Sequence, residues 1–308
     1  MTASHPPLLL VGHGTVDAAG VAEFVAFTSR LRGYLADAGV DVDGGFIELS
    51  TPTVHEAWAA LAGRGHRTMA AVPLVLVAAG HAKGDIPAAL EREVRRDPAT
   101  GFVFGRPLGP HPVLQEILVD RIAAAREPER GVADEDTAVL LVGRGATDPD
   151  ANAEVCKVAR LLQEGRPYAF VETAFVSLAQ PDVARGLARC RALGARRVVV
   201  APYFLFDGVL PRRVAEQARA FGAEHPDVEV AVAGHLGDTD ALAGLVVERY
   251  REALAGDIRM NCDTCAYRVL LPGFEDKLGA PQTPHHHPDD PAHGHGNGHG
   301  HGHGHAHA

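Results

Sequence analysis

Short apolar runs alternate with longer amphipathic stretches through most of this chain. Segments 8–11, 43–48, 69–77 and 101–104 are too short for helices and are bounded by glycine, proline or polar residues, so they read as strands. Between the first two, AGVAEFVAFTSRLRGYLADAG sets Phe24, Phe27, Leu31 and Leu35 on one helical face. Pro52 and Pro87 fall near predicted helix starts, where a missing N–H costs little. Regular strand–helix alternation predicts α/β architecture, with parallel sheets covered by helices on both faces.

The same plan is written twice. EPERGVADED, 127–136, has no apolar pattern and reads as a linker, after which the order begins again. LLLVGHGTVDAAGVAEF is echoed by VLLVGRGATDPDANAEV, FIELSTPTVHEA by FVSLAQPDVARG, and VPLVLVAAGHAKGDIP by APYFLFDGVLP. GRPLGPHPVLQEIL has its counterpart in AGHLGDTDALAGLV. A period of roughly 130 residues is the size of a domain, not of a solenoid repeat. The expected organisation is therefore a domain over 1–130, its repeat over 131–256, and a cleft between two similar lobes. After about residue 255 the pattern stops; 257–308 carries MNCDTCAYR and a Pro-, Gly- and His-rich tract predicted to be disordered.

Composition narrows the function. The 308 residues are 46% apolar, enough for real cores, and carry a formal charge of -10, which excludes a general nucleic-acid or anionic-membrane binder. No run of about 18 apolar residues occurs, and MTASHPP is not a secretory leader, so a cytoplasmic protein is expected. Of four cysteines, Cys156 and Cys190 stand alone in helical patterns and are assigned to packing; Cys262 and Cys265 form a C-x-x-C suited to metal or redox chemistry.

The two copies differ where chemistry would sit. His13 is replaced by Arg144 and Glu48 by Ser177, and the loop carrying His81 is shortened so that no histidine remains. His13 lies between Gly12 and Gly14, which are expected to open the loop so that a ligand can approach the imidazole. Ligands of open parallel sheets bind at the carboxyl ends of the strands, where His13, Glu48 and His81 should all emerge. Taken singly, each reads as a loop hydrogen-bonder or a helix cap. Together, two imidazoles and a carboxylate suit a borderline divalent ion such as cobalt, iron, nickel or zinc. A histidine phosphatase is disfavoured, because Gly12 stands where an arginine would hold the phosphate.

LLLVGHGT, GFIELSTPTV, VPLVLVAAGHAKGDIP and GPHPVL, in that order within a duplicated chain, resemble the class II chelatases of the CbiX/SirB type, which insert a metal into sirohydrochlorin. The resemblance covers residues 8 to about 255, and MNCDTCAYR with the histidine-rich tail resembles the long cobaltochelatase form. It implies two flavodoxin-like lobes enclosing a tetrapyrrole cleft, in a cytoplasmic enzyme of cobalamin or sirohaem synthesis. The implied metal ligands are His13 and His81, with Glu48 as acidic partner and proton relay, and with Co2+ as substrate metal, Fe2+ or Ni2+ being the alternatives. The carboxylates of the macrocycle call for cations: Arg144 first, then Lys83, Arg106, Arg212 and Arg213. Cys262 and Cys265 would supply half of an iron–sulfur or metal site, completed by a second subunit of a homodimer. The tail would capture metal. A non-catalytic metal-delivery protein is the alternative of a different class.

Overall fold

A computed structural model describes residues 5–126, 134–256 and Asp276. Two four-stranded parallel sheets form, one from each half. The first contains β1 (Leu8–Gly12), β2 (Val42–Phe46), β3 (Thr68–Pro73) and β4 (Gly101–Phe104) in the order β2-β1-β3-β4. The second contains β5 (Thr137–Gly143), β6 (Phe170–Phe175), β7 (Arg197–Pro202) and β8 (Glu229–Val232) in the order β6-β5-β7-β8. Leu8 to Val11 are buried on both faces, as a central parallel strand requires. Connecting helices are α1 (Ala18–Leu35), α2 (Val54–Gly63) and α3 (Ile86–Arg96), then α5 (Pro149–Gln163), α6 (Val183–Ala192) and α7 (Val209–Glu224). α4 (Pro112–Ala125) and α8 (Asp240–Ala255) close the two halves. Among the described residues no helix is long and apolar enough to cross a membrane.

Phe24, Phe27, Leu31 and Leu35 are buried on α1 as their spacing predicts. Two strands end earlier than expected. β3 stops at Pro73, which has no N–H for the ladder, and the apolar residues beyond it leave the sheet: Leu74 enters the core while Val75, Leu76 and Val77 line a cleft. β2 stops at Phe46, so Glu48 lies two residues past the strand. Pro52 is not in the first turn of α2, which is capped by Thr53 and Glu56 in a reciprocal capping box; Pro87 does sit in the first turn of α3. Of the expected linker, Asp134–Asp136 form a single 3-10 turn, and 127–133 lie outside the described residues, as do Cys262, Cys265 and the histidine-rich tail.

The closing helices are exchanged. α4 packs on β7 and α5 of the other half, and α8 packs on β3 and β4 of the first sheet. The two sheets therefore share one apolar core, which runs from Leu8 and Phe27 through Leu118 to Leu141 and Tyr250. Smaller cores lie outside, under α2 and α3 on one side and α6 and α7 on the other. Polar contacts repeat the exchange with near two-fold symmetry. Arg249 of α8, fully buried, donates to the Leu108 carbonyl at 3.0 Å, and Arg121 of α4 donates to the Leu236 carbonyl at 2.9 Å. Arg106 forms a bidentate pair with Glu252 of α8 at 2.7 and 2.8 Å, so its guanidinium is committed to the helix exchange and not to a ligand carboxylate.

A second symmetric set of contacts crosses between the strand-end loops. Glu154 of α5 accepts the Ala78 N–H at 2.9 Å; its counterpart Glu23 of α1 accepts the Asp207 N–H at 2.8 Å. Lys83 reaches Asp148 at 2.7 Å and Asp150 at 3.0 Å, while its counterpart Arg212 pairs with Asp17 and Asp207. Asp148 and Asp17 are the N-caps of α5 and α1, so each cation anchors on the helix N-terminus of the opposite half. Lys83 and Arg212 are thus latches between halves. The expectation that they offer charge to a substrate gives way to this, because Lys83 already neutralises two carboxylates of the opposite half and Arg212 one from each half. The copies differ in depth, with the Lys83 side chain 7% exposed and that of Arg212 46%.

Two predictions follow the packing. Leu242→Ala, in the shared core, should lower stability by about 2–5 kcal/mol. In urea, the Trp58 fluorescence transition of the first half should move together with far-UV circular dichroism; a Trp58 transition left in place would refute the exchange. Lys83→Ala leaves Asp148 and Asp150 buried without their cation and should cost about 3–5 kcal/mol, whereas Arg212→Ala should cost under about 1 kcal/mol. Burial works against the Lys83 charge, but the two aspartates outweigh it and hold its pKa above 10.5. Its contribution is therefore complete below that pH and is lost only as the pH rises through the folded pKa, so denaturation at about pH 7 and about pH 9 should give the same difference.

Candidate metal centre and the inter-lobe cleft

The first sheet delivers three donors to one point. β1 and β2 pair in parallel from Leu8↔Val42 to Gly12↔Phe46, and the ladder continues beyond the strands: Ile47 N–H donates to Gly12 O and Glu48 N–H to His13 O, at 3.0 and 3.2 Å. His13 and Glu48 are thereby neighbours by register. Gly14, at φ +112°, lies so close to the next loop that a Cβ there would stand 1.8 Å from the Glu48 carbonyl oxygen. Gly12 has a different role from the one expected. Its missing side chain makes room for the Phe24 and Phe46 rings, not for a ligand. Ser50 Oγ accepts the Thr15 N–H at 3.0 Å and fixes the far side of the same loop.

His81 arrives from the end of β3 on a single π-turn, His81–Asp85, that leads into α3. Such wide turns recur at functional sites because they rotate one side chain out of helical register. Asp85 accepts from His81 Nδ1 at 2.7 Å, which fixes the tautomer and leaves the Nε2 lone pair facing outward. Asp85 was not singled out from the sequence, although the i,i+4 spacing in HAKGD carries the signal.

His13 Nε2 lies 2.8 Å from His81 Nε2 and 3.2 Å from Glu48 Oε1, with the two rings at 89° to each other. Among the described residues, His13, Glu48 and His81 are the one group of three such donors, all ligand atoms lying within 4.8 Å of one another. His13 Nδ1 faces the Gly14 carbonyl at 3.2 Å, so an Nδ1–H on each ring finds an acceptor. Two Nε2 lone pairs and a carboxylate then converge on one spot. That concentration of negative potential suits a proton or a divalent cation, and both imidazoles are mostly buried.

The donors open into a cleft of about 670 Å³ between the halves, within the roughly 300–1,000 Å³ usual for small-molecule sites. Its walls come from the strand-end loops of both sheets: His13 to Val16, Leu49, Val75 to Val77 and Ala79 to Ala82 on one side, Arg144 to Pro149, Leu178, Tyr203 to Pro211 and Arg213 on the other. The second copy keeps the loop geometry and changes the chemistry. A Cβ on Gly145 would fall 1.9 Å from the Ser177 carbonyl, and Ser177 N–H donates to Arg144 O at 3.0 Å, so Arg144 stands where His13 does in the first half. Asn152 secures that loop by bonding Ala146 N–H and C=O at 2.9 and 2.8 Å. Of the five cations expected near a substrate, Arg144 and Arg213 line the cleft; Lys83, Arg106 and Arg212 hold the halves together. Cys190 is buried, its thiol pushed up to about 12 by burial, whereas Cys156 is exposed on α5 and is not a packing residue.

Comparison with known proteins agrees with this architecture. The CbiX family model matches residues 7–125 and again 138–253, one match for each half. A sirohydrochlorin cobaltochelatase of Priestia megaterium is 39% identical over 262 residues, 85% of this chain and 84% of the relative. A sirohydrochlorin ferrochelatase of the same organism is 31% identical over 248 residues, 80% of this chain and 90% of the relative. Among solved structures, SirB from Bacillus subtilis with Fe3+ superposes with a TM-score of 0.70 at 28% identity, covering 82% of this chain and 96% of SirB. With each half matching and the chain spanning most of these relatives, the protein belongs to the CbiX family of chelatases.

Proposed function

We propose that this chain is a chelatase that inserts a divalent metal, cobalt by preference, into sirohydrochlorin in the reducing cytoplasm. The observation that carries the reading is the convergence of His13 Nε2, His81 Nε2 and Glu48 Oε1 at the wall of a cleft lined by both halves. Cobalt is favoured by the 39% identity to a cobaltochelatase over most of both chains, against 31% for a ferrochelatase. Two imidazoles and one carboxylate bind cobalt, iron and nickel by the same chemistry, so the ligands alone do not choose among them.

The reaction exchanges one divalent ion for two pyrrole protons. His13 and His81 hold the ion by Nε2, and Glu48 completes the charge. As the ion passes to the ring nitrogens, each imidazole loses its metal and gains a lone pair suited to accept a pyrrole proton; Glu48, the most exposed of the three, passes protons to water. Asp85 keeps His81 in the productive tautomer and steadies the imidazolium when it forms. On the opposite wall, Arg144 pairs with a substrate carboxylate and fixes the macrocycle against the metal donors.

Purified protein mixed with sirohydrochlorin and Co2+ should change the absorption spectrum well above the spontaneous rate, and faster than with Fe2+. A faster Fe2+ reaction would make it a ferrochelatase; no acceleration with either metal would leave a metal-delivery protein. His13→Ala and His81→Ala should each lose at least about 100-fold in kcat, the usual worth of a positioned acid–base group. Arg144→Ala should raise KM for the macrocycle with little change in kcat; an unchanged KM would remove Arg144 from the site. Chain ending at residue 256 should retain turnover, which places catalysis in the halves and not in the histidine-rich tail.

A further inference from the structure

Leu49 and Leu178 occupy equivalent positions, each following the residue whose carbonyl crowds Gly14 or Gly145. Both have backbone in the left-handed region, at φ 64° and 60°, where leucine is strained. Each is the central residue of a γ-turn: Ser50 N–H donates to Glu48 O at 2.8 Å, and Ala179 N–H to Ser177 O at 2.7 Å. Glycine or asparagine would relieve the strain, so packing should explain why leucine is used. It does not, because Leu178 is 64% exposed and Leu49 is only partly covered. Both side chains line the inter-lobe cleft, one from each half. The adjacent pairs have diverged in chemistry, His13 against Arg144 and Glu48 against Ser177, while leucine stands in both copies.

We propose that Leu49 and Leu178 are a pair of apolar brackets that contact the conjugated ring surface of the macrocycle from opposite sides of the cleft. The inference rests on the chelatase reading and extends it to substrate positioning. A carboxylate-rimmed macrocycle has a polar edge and an apolar ring. Arg144 meets the edge; the leucines meet the ring and bury on binding the surface they expose in the free protein. The strained γ-turns hold both side chains at the cleft wall before substrate arrives, so little ordering is needed on binding.

The test combines affinity with stability. Metal-free sirohydrochlorin, followed by its own fluorescence, should bind Leu49→Gly and Leu178→Gly about tenfold more weakly than the wild type, and the double variant more weakly still. Because glycine relieves the backbone, the melting temperature of each variant should be held or raised. Co2+ binding without macrocycle should be unchanged. Leu49→Asn and Leu178→Asn keep the left-handed turn while removing the apolar surface, and should show the same loss of macrocycle affinity. Unchanged affinity in these variants, or a lowered melting temperature with affinity intact, overturns the brackets while the chelatase reading stands. If the wild type itself does not bind sirohydrochlorin, the chelatase reading falls and the brackets fall with it.

Discussion

The meeting of His13, Glu48 and His81 depends on one backbone contact. The loop after β1 and the loop after β2 approach so closely at Gly14 that any side chain there would collide with the Glu48 carbonyl. That approach lets the parallel ladder run past the ends of its strands, and the extended ladder puts His13 beside Glu48. With β3 next to β1, the π-turn at His81 needs only to rotate one imidazole inward to complete the set. Sheet register thus fixes His13 against Glu48, and the π-turn beyond β3 fixes His81 against both, which is a rigid way to hold three donors together.

Duplication gives the cleft its two walls, and exchange of α4 and α8 makes them one body. The interface repeats itself: Arg121 and Arg249, Glu23 and Glu154, Lys83 and Arg212 form matched pairs related by the repeat. The chemistry of the two halves diverges at the cleft. One half presents imidazoles and a carboxylate, the other a guanidinium on the same loop. The latch beside His81 is the more buried of its pair, so the interface is held more firmly on the side of the imidazoles.

Much of this was legible in the sequence. The repeat, the parallel order and the emergence of His13, Glu48 and His81 at one sheet edge are encoded in apolar periodicity and glycine placement, which report on local geometry. Side-chain partners were harder. Lys83 and Arg212 read as substrate cations because sequence shows a charge without its counter-ion, and Asp148 and Asp17 lie on the opposite half. The run 69–77 read as one strand because apolar residues that line a cleft look like residues in a core. Cys156 reads as a packing residue because a lone cysteine in a helical pattern behaves as a small apolar side chain, yet its place on α5 turns it outward. Asp85 carries only the i,i+4 spacing to His81, which any helical acid–histidine pair shares, so the sequence does not set it apart from a surface ion pair.

The proposed function requires that one divalent ion be shared by His13, His81 and Glu48 at the wall of the inter-lobe cleft. Anomalous diffraction at the cobalt edge, from crystals grown with Co2+, addresses it directly. A single strong peak is expected at about 2.1 Å from both Nε2 atoms, with a Glu48 oxygen in the same shell. A peak bound elsewhere, with the two rings still hydrogen-bonded to each other, would contradict it.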